Sequence, residues 1–217
     1  MISKHWKLLT FTSLVIVLPM VAGLLLWNQL PDQLPSHWNG AGEIDGWFSK
    51  TMSVFGTPLF LLVVHWLAVI ATFSDPKKNH HSDKILQLVF WMIPLLSVGI
   101  HAVIYMTALG KKVNVSTLVP AFMGFLFIII GNYLPKCKQN YTIGIKIPWT
   151  LDSEANWNKT HRFAGKVWVI CGMIMVVLSF FGDAKSVLPV ALVMVLVPVG
   201  YSYLLYRKET TNKEVLH

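Results

Sequence analysis

Charge is scarce in this sequence, and so is cysteine. Only 13% of its 217 residues are Asp, Glu, Lys or Arg and 54% are hydrophobic, whereas charged residues make up about 25% of an ordinary soluble domain. The apolar residues also come in blocks rather than mixed with polar ones at a period of 2 or 3.6. That pattern excludes a water-soluble globular domain and defines an integral membrane protein. The two cysteines, Cys137 and Cys171, lie far apart and in no metal-type spacing, so neither a disulfide framework nor a zinc site follows. Cys171 sits within an apolar run and reads as a small buried hydrophobe.

What is abundant is apolar sequence of membrane-crossing length. Six segments approach the roughly twenty residues a spanning helix needs: Leu8–Trp27, Val54–Phe73, Ile85–Leu109, Thr117–Leu134, Val167–Phe181 and Val187–Tyr206. The fifth is short and is expected to extend back toward Phe163. Because backbone polar groups cannot stay unpaired in hydrocarbon, each is expected to be a helix. The first follows Lys4 and Lys7 much as a signal peptide would, yet no small-x-small cleavage site follows it, so it reads as a retained helix.

The net charge of +8 at pH 7 reads as a bias toward one membrane face rather than as nucleic-acid binding. Lys4, Lys7, Lys77, Lys78, Lys84, the six cations of the loop from Asn132 to Lys166, and Arg207, Lys208 and Lys213 share one side. Lys50, Lys111, Lys112 and Lys185 take the other. By the positive-inside rule, both termini and the long loop 132–166 are expected in the cytoplasm, with loop 28–53 outside.

Chemistry-bearing constellations are missing. The sequence offers no nucleophile with an identifiable base, no H-E-x-x-H and no glycine-rich phosphate loop, so an enzyme is not expected. No metal or other cofactor is expected either. His65 and His101 fall within spans, where ionisable residues point to function by default. With no acid in any span, glue between helices is favoured over a proton relay. His80–His81 beside Asp75 and Asp83 is read as a short solvated loop rather than a weak metal site.

Two long loops punctuate the chain. The first holds Pro31, Pro35, Gly40, Gly42 and Gly46, which read as turns. Its Trp38 and Trp47 are either interfacial anchors, which the residue types favour, or part of an outward recognition surface. The helix before each loop ends in a matching string, Asn28-Gln-Leu-Pro31 and Asn132-Tyr-Leu-Pro135. Two readings stand. One is a pair of inverted three-helix halves, residues 1–116 and 117–217, as in many transporters. The other is chance, because proline after a helix is ordinary.

The second loop interleaves its cations with Tyr141, Trp149 and Trp157. A helix beginning after Asp152 or Ser153 puts Trp157, His161, Ala164 and Trp168 on one face and Lys159, Arg162 and Lys166 on the other. It is expected to lie along the membrane surface, against anionic headgroups or an acidic partner, before turning inward.

Gly131, Asn132, Asn140, the run Gly144-Ile-Lys-Ile-Pro148-Trp149-Thr150-Leu151, Trp157 and His161-Arg162-Phe-Ala-Gly165 resemble the core motif of the SdpI family of bacterial polytopic membrane proteins. Leu34-Pro35-Ser-His37-Trp38-Asn-Gly40, with Gly42, Asp45 and Gly46, resembles a small domain of unknown function that often precedes it. The resemblance implies a bacterial plasma-membrane protein giving immunity to a secreted peptide toxin, with Pro35, His37, Trp38, Gly42 and Asp45 toward the toxin. It also implies signalling, the cytoplasmic motif drawing a soluble repressor to the membrane, with no direct contact to nucleic acid. Alternative readings are a small transporter or exporter with a polar site at His65 or His101, and an envelope-stress regulator without a toxin. Lys146 and Ile147 stand where Arg and Thr are common in the motif.

Overall fold

The computed structural model describes residues 2–181 and 187–215. The chain is an α-helical membrane protein, and its described residues form six helices long and apolar enough to cross a bilayer. They are Lys4–Leu25, Met52–Ser74, Asp83–Ala108, Val115–Lys136, Glu154–Phe181 and Val187–Thr211. Their outward sides are apolar: Phe60, Leu67 and Leu196 are each more than 60% exposed, a surface suited to lipid and not to water. Lys185, assigned from the sequence to the outer side, lies outside the described residues.

The helices are numbered in chain order: α1 Ile2–Leu25, α2 Thr57–Ser74, α3 Asp83–Ala108, α4 Val115–Tyr133, the short α5 Pro148–Asp152, α6 Glu154–Phe181 and α7 Val187–Val215. Between α1 and α2 the chain forms two strands, β1 Gln33–Trp38 and β2 Ile44–Ser49, followed by a single π-helical turn over Met52–Gly56. The helical expectation holds for the spans, while loop 28–53, read from its prolines and glycines as turns, contains an antiparallel hairpin. Pro35 is tolerated because a two-stranded ribbon is all edge. Gly42 closes the turn at φ 81°, a conformation costly for other residues.

Contacts group the chain into two compact units. The first takes residues up to Phe73 together with Leu86–Leu118; the second takes Ser74–Ile85 and the chain from Val119 onward. In the first, Leu9, Val69, Phe73, Leu86 and Phe90 form one buried apolar cluster. Leu30, Leu34, Val54, Ile104 and Tyr105 form another under the hairpin. Pro19 leaves Val15 O without its helical donor, and around this point α3 bonds to the backbone of α1. Ser97 Oγ donates to Ile16 O at 2.8 Å and Tyr105 OH to Pro19 O at 3.0 Å.

In the second unit, α4 and α6 meet through glycines. A Cβ on Gly131 would lie 2.9 Å from Gly165 O, and one on Gly172 would lie 2.7 Å from Gly124 O. No side chain fits there, so this contact is of the small-residue kind that lets helix backbones touch in lipid. A buried polar knot ties α6 to α7. Asn156 Nδ2 donates to Ser202 O (3.0 Å), while the Ser202 and Thr160 hydroxyls donate to Asn156 Oδ1 (2.7 and 3.0 Å).

α6 overturns one expectation. The amphipathic stretch from Glu154 does not lie apart from the fifth span and then turn into it; helix and span are one uninterrupted element of 28 residues. The predicted faces do hold. Trp157, His161 and Ala164 are buried, whereas Lys159, Arg162 and Lys166 are exposed.

Candidate functional site

The loop between α4 and α5 has almost no regular structure, so its polar backbone must find partners elsewhere. Buried side chains supply them. Asn140 is wholly enclosed. Its Oδ1 accepts from the backbone N–H of Thr142 (2.8 Å) and Ile143 (2.7 Å). Its Nδ2 donates to Lys138 O (2.8 Å), Ile143 O (2.9 Å) and Cys137 Sγ (3.3 Å). This one amide shapes the turn from Cys137 to Ile143.

Gly144 follows at φ 120°, and a Cβ there would strike His161 Nε2 and stand 3.1 Å from the Trp157 ring. The glycine is therefore fixed twice, by conformation and by space. Its neighbour Ile145 donates its N–H to His161 Nε2 at 3.0 Å, and His161 Nδ1 donates to Trp157 O at 2.8 Å. That pattern requires the neutral imidazole protonated at Nδ1. The His161 ring stacks on Trp157 at a centroid distance of 4.0 Å, and Trp157 Nε1 donates to Cys137 O at 2.7 Å. Thus α6 presents Trp157 and His161 as a buried post around which the loop is wound.

Pro148 then starts α5, where a missing N–H costs nothing. Thr150 Oγ1 accepts from Ile147 N–H (3.1 Å) and lies within donating reach of Ile145 O and Ile147 O. Ser153 Oγ accepts from Asn156 N–H at 3.1 Å and caps α6. Trp149 leans on α7, its ring 5.6 Å from Tyr203 and 5.9 Å from Tyr206.

The second layer of this site is the connector between α2 and α3, and sequence reasoning missed it. Read as solvated, Asp75 and His81 are in fact buried. Asp75 accepts from Lys77 N–H (2.7 Å), Tyr141 N–H (2.9 Å) and the Thr142 hydroxyl. Burial alone would raise its pKa, but these bonds and nearby His81 outweigh it and hold the carboxyl below its usual value. Burial pushes His81 down, only partly opposed by Asp75, whose Oδ2 is 3.8 Å away. Lys77 Nζ donates to Gln139 Oε1 at 2.5 Å, and His80 Nδ1 donates to Gln139 O at 2.7 Å. Gln139 in turn donates from Nε2 to the carbonyls of Thr150 and Leu151 (3.0 and 2.9 Å). Burial raises the Cys137 thiol to about 11, which leaves it unreactive.

Of the residues singled out from the sequence, Asn140, Gly144, Pro148, Trp149, Thr150, Trp157 and His161 come together here. Gly131 belongs to the α4–α6 contact, and Asn132 and Arg162 are exposed and take no part in the wound loop. In the hairpin, Pro35 is buried and Trp38 half-buried, while His37 and Asp45 form an exposed pair 2.5 Å apart. Trp47 and Phe48 are also exposed, at 51% and 44%. Gly42 sits against Ser116. Within the spans, His65 Nε2 lies 3.4 Å from Thr12 Oγ1, and His101 Nδ1 donates to Ser97 O at 2.7 Å. The first contact joins α2 to α1, whereas the second stays within α3. Among the described residues, no group of three or more His, Cys, Asp or Glu is placed to hold a metal ion.

Six lipid-length helices, a hairpin and a loop wound about a buried Trp–His post define a multi-pass membrane protein. Residues 136–203 match the SdpI/YfhL protein family, and residues 14–62 match a domain of unknown function (DUF1648). The chain is similar to the immunity protein SdpI of Bacillus subtilis (strain 168). The two are 29% identical over 198 residues, which cover 90% of this chain and 94% of that protein. The resemblance read from the sequence therefore holds, and the wound loop falls within the family segment. No solved structure matches.

Proposed function

We propose that this protein protects the membrane that holds it against a secreted peptide toxin. The observation that carries the reading is similarity to an immunity protein along nine tenths of both chains, which includes the hairpin as well as the wound loop. The bias of Lys and Arg to one face puts the termini and the wound loop in the cytoplasm. One apolar helix precedes the hairpin and four precede the wound loop, a count that supports opposite sides for the two if every one of them crosses. The hairpin then faces outward. Its exposed Trp47, Phe48 and His37–Asp45 pair offer an apolar, hydrogen-bonding surface to an apolar peptide. The role is binding and not catalysis. On the inner side, the wound loop and the exposed cations Lys159, Arg162 and Lys166 serve a soluble repressor, recruited when toxin favours one arrangement of the protein over another. Expression in a toxin-sensitive strain tests the reading. Survival at toxin levels that kill the parent is expected, and unchanged killing by every peptide toxin tried overturns it.

A further inference from the structure

The connector Ser74–Ile85 lies between the two family segments and within neither. Yet it supplies the outer anchors of the wound loop. The two bonds from Tyr141 and Thr142 to Asp75, and the two from Lys77 and His80 to Gln139, bridge more than fifty residues of sequence. Each joins a charged or polar group of the connector to the loop's first turn. Loop Gln139 relays the hold to the carbonyls of α5. Cys137, at the inner end of the same turn, is 4% exposed.

We propose that the connector is the latch of the wound loop and that Asp75 is its positioning residue. A carboxylate is suited to this place, because its two oxygens accept three hydrogen bonds at once from donors that would otherwise be orphaned. The connector also runs directly into α2 and α3, so a shift at either helix end pulls on Asp75 and Lys77. The latch is thereby a covalent route from those helices to the loop. Its purpose, presenting the loop to a partner, rests on the function proposed above; its existence does not.

The two native thiols test it, because each reports on a different part of the second unit. Cys137 lies under the latch, and Cys171 lies in α6 at 5% exposure. In detergent micelles, Asp75→Ala in a Cys171→Ala background is expected to speed maleimide labelling of Cys137 by about tenfold or more, as local opening exposes it. Asp75→Asn, which keeps an acceptor oxygen, is expected to fall between. The exposed Asp152→Ala is expected to change nothing. In the reciprocal Cys137→Ala background, Cys171 is expected to stay protected in Asp75→Ala. Protection of Cys137 in Asp75→Ala overturns the latch, and so does simultaneous exposure of both cysteines, which signals global unfolding. Failure of the wild-type protein to protect cells from toxin leaves these labelling rates untouched and counts only against the proposed function.

Discussion

The loops that follow α1 and α4 each carry Asn-x-Leu-Pro at their start, yet they are held by opposite means. The hairpin is held by its own backbone. β1 and β2 satisfy each other, so the side chains of Trp47, Phe48, His37 and Asp45 are left to face outward. The wound loop is held by side chains. Asn140, Gln139, Thr150 and His161 point inward and do for its backbone what a ladder does in the hairpin. A surface that must meet a partner profits from the first plan, because its side chains are free. A segment that must hold one arrangement until released suits the second, because each buried polar bond is costly to break singly.

The comparison is sharpest at glycine. Gly144→Val is expected to destabilise the protein by more than about 4 kcal/mol, through a left-handed backbone and a collision with Trp157 and His161. Little folded protein should accumulate in membranes. Gly40→Ala in the hairpin meets nothing within 4 Å and should accumulate like wild type. The paired asparagines come next. Asn140→Ala strips partners from buried groups and should cost about 3 kcal/mol in thermal unfolding. Asn39→Ala, whose Oδ1 accepts from Ala41 and Glu43 N–H in an exposed turn, should cost less than about 1 kcal/mol because water substitutes. Equal losses at the two sites would break the distinction.

A smaller effect is expected from pH. Burial holds His81 neutral beside Asp75 and His80, its pKa below the ordinary 6.5. The unfolded chain therefore takes up a proton first, and stability present above that value falls away below it. The Asp75 contribution persists until the pH falls through its own depressed value, below the ordinary 3.8. Melting in detergent should drop by an amount on the order of 1 kcal/mol between about pH 7.5 and about pH 5.5. His81→Gln should make that dependence shallower, the other buried histidines supplying the remainder. The smallest change in stability is expected at the hairpin, where His37→Ala removes an exposed pair worth less than about 1 kcal/mol. Under the proposed function, toxin protection should nonetheless fall in this variant. Full protection there would move the toxin contact elsewhere.

Much of this was readable in the chain. The six spans stand out as apolar blocks, and the buried face of α6 follows from the spacing of Trp157, His161 and Ala164. The motif residues Asn140, Gly144 and Thr150 also converge as a group. The hairpin was hidden because its glycines and prolines signal turns, and its alternation is blurred by register irregularities on both sides of His37. The latch was hidden for another reason. Asp75 and Tyr141 are 66 residues apart, and no local pattern announces a pairing at that distance. The α4–α6 contact did carry a signal, since Gly124 and Gly131, like Gly165 and Gly172, stand seven residues apart on one helix face.

The division of labour depends on which side of the membrane each loop occupies. With Cys137 and Cys171 replaced by alanine, single cysteines at Gly40→Cys and Lys138→Cys place a thiol on an exposed position of each loop. A membrane-impermeant thiol reagent added to intact cells should modify the first and should reach the second only after the membrane is opened. Modification of the Lys138→Cys thiol in intact cells, with the Gly40→Cys thiol protected, would reverse the sides and contradict the account.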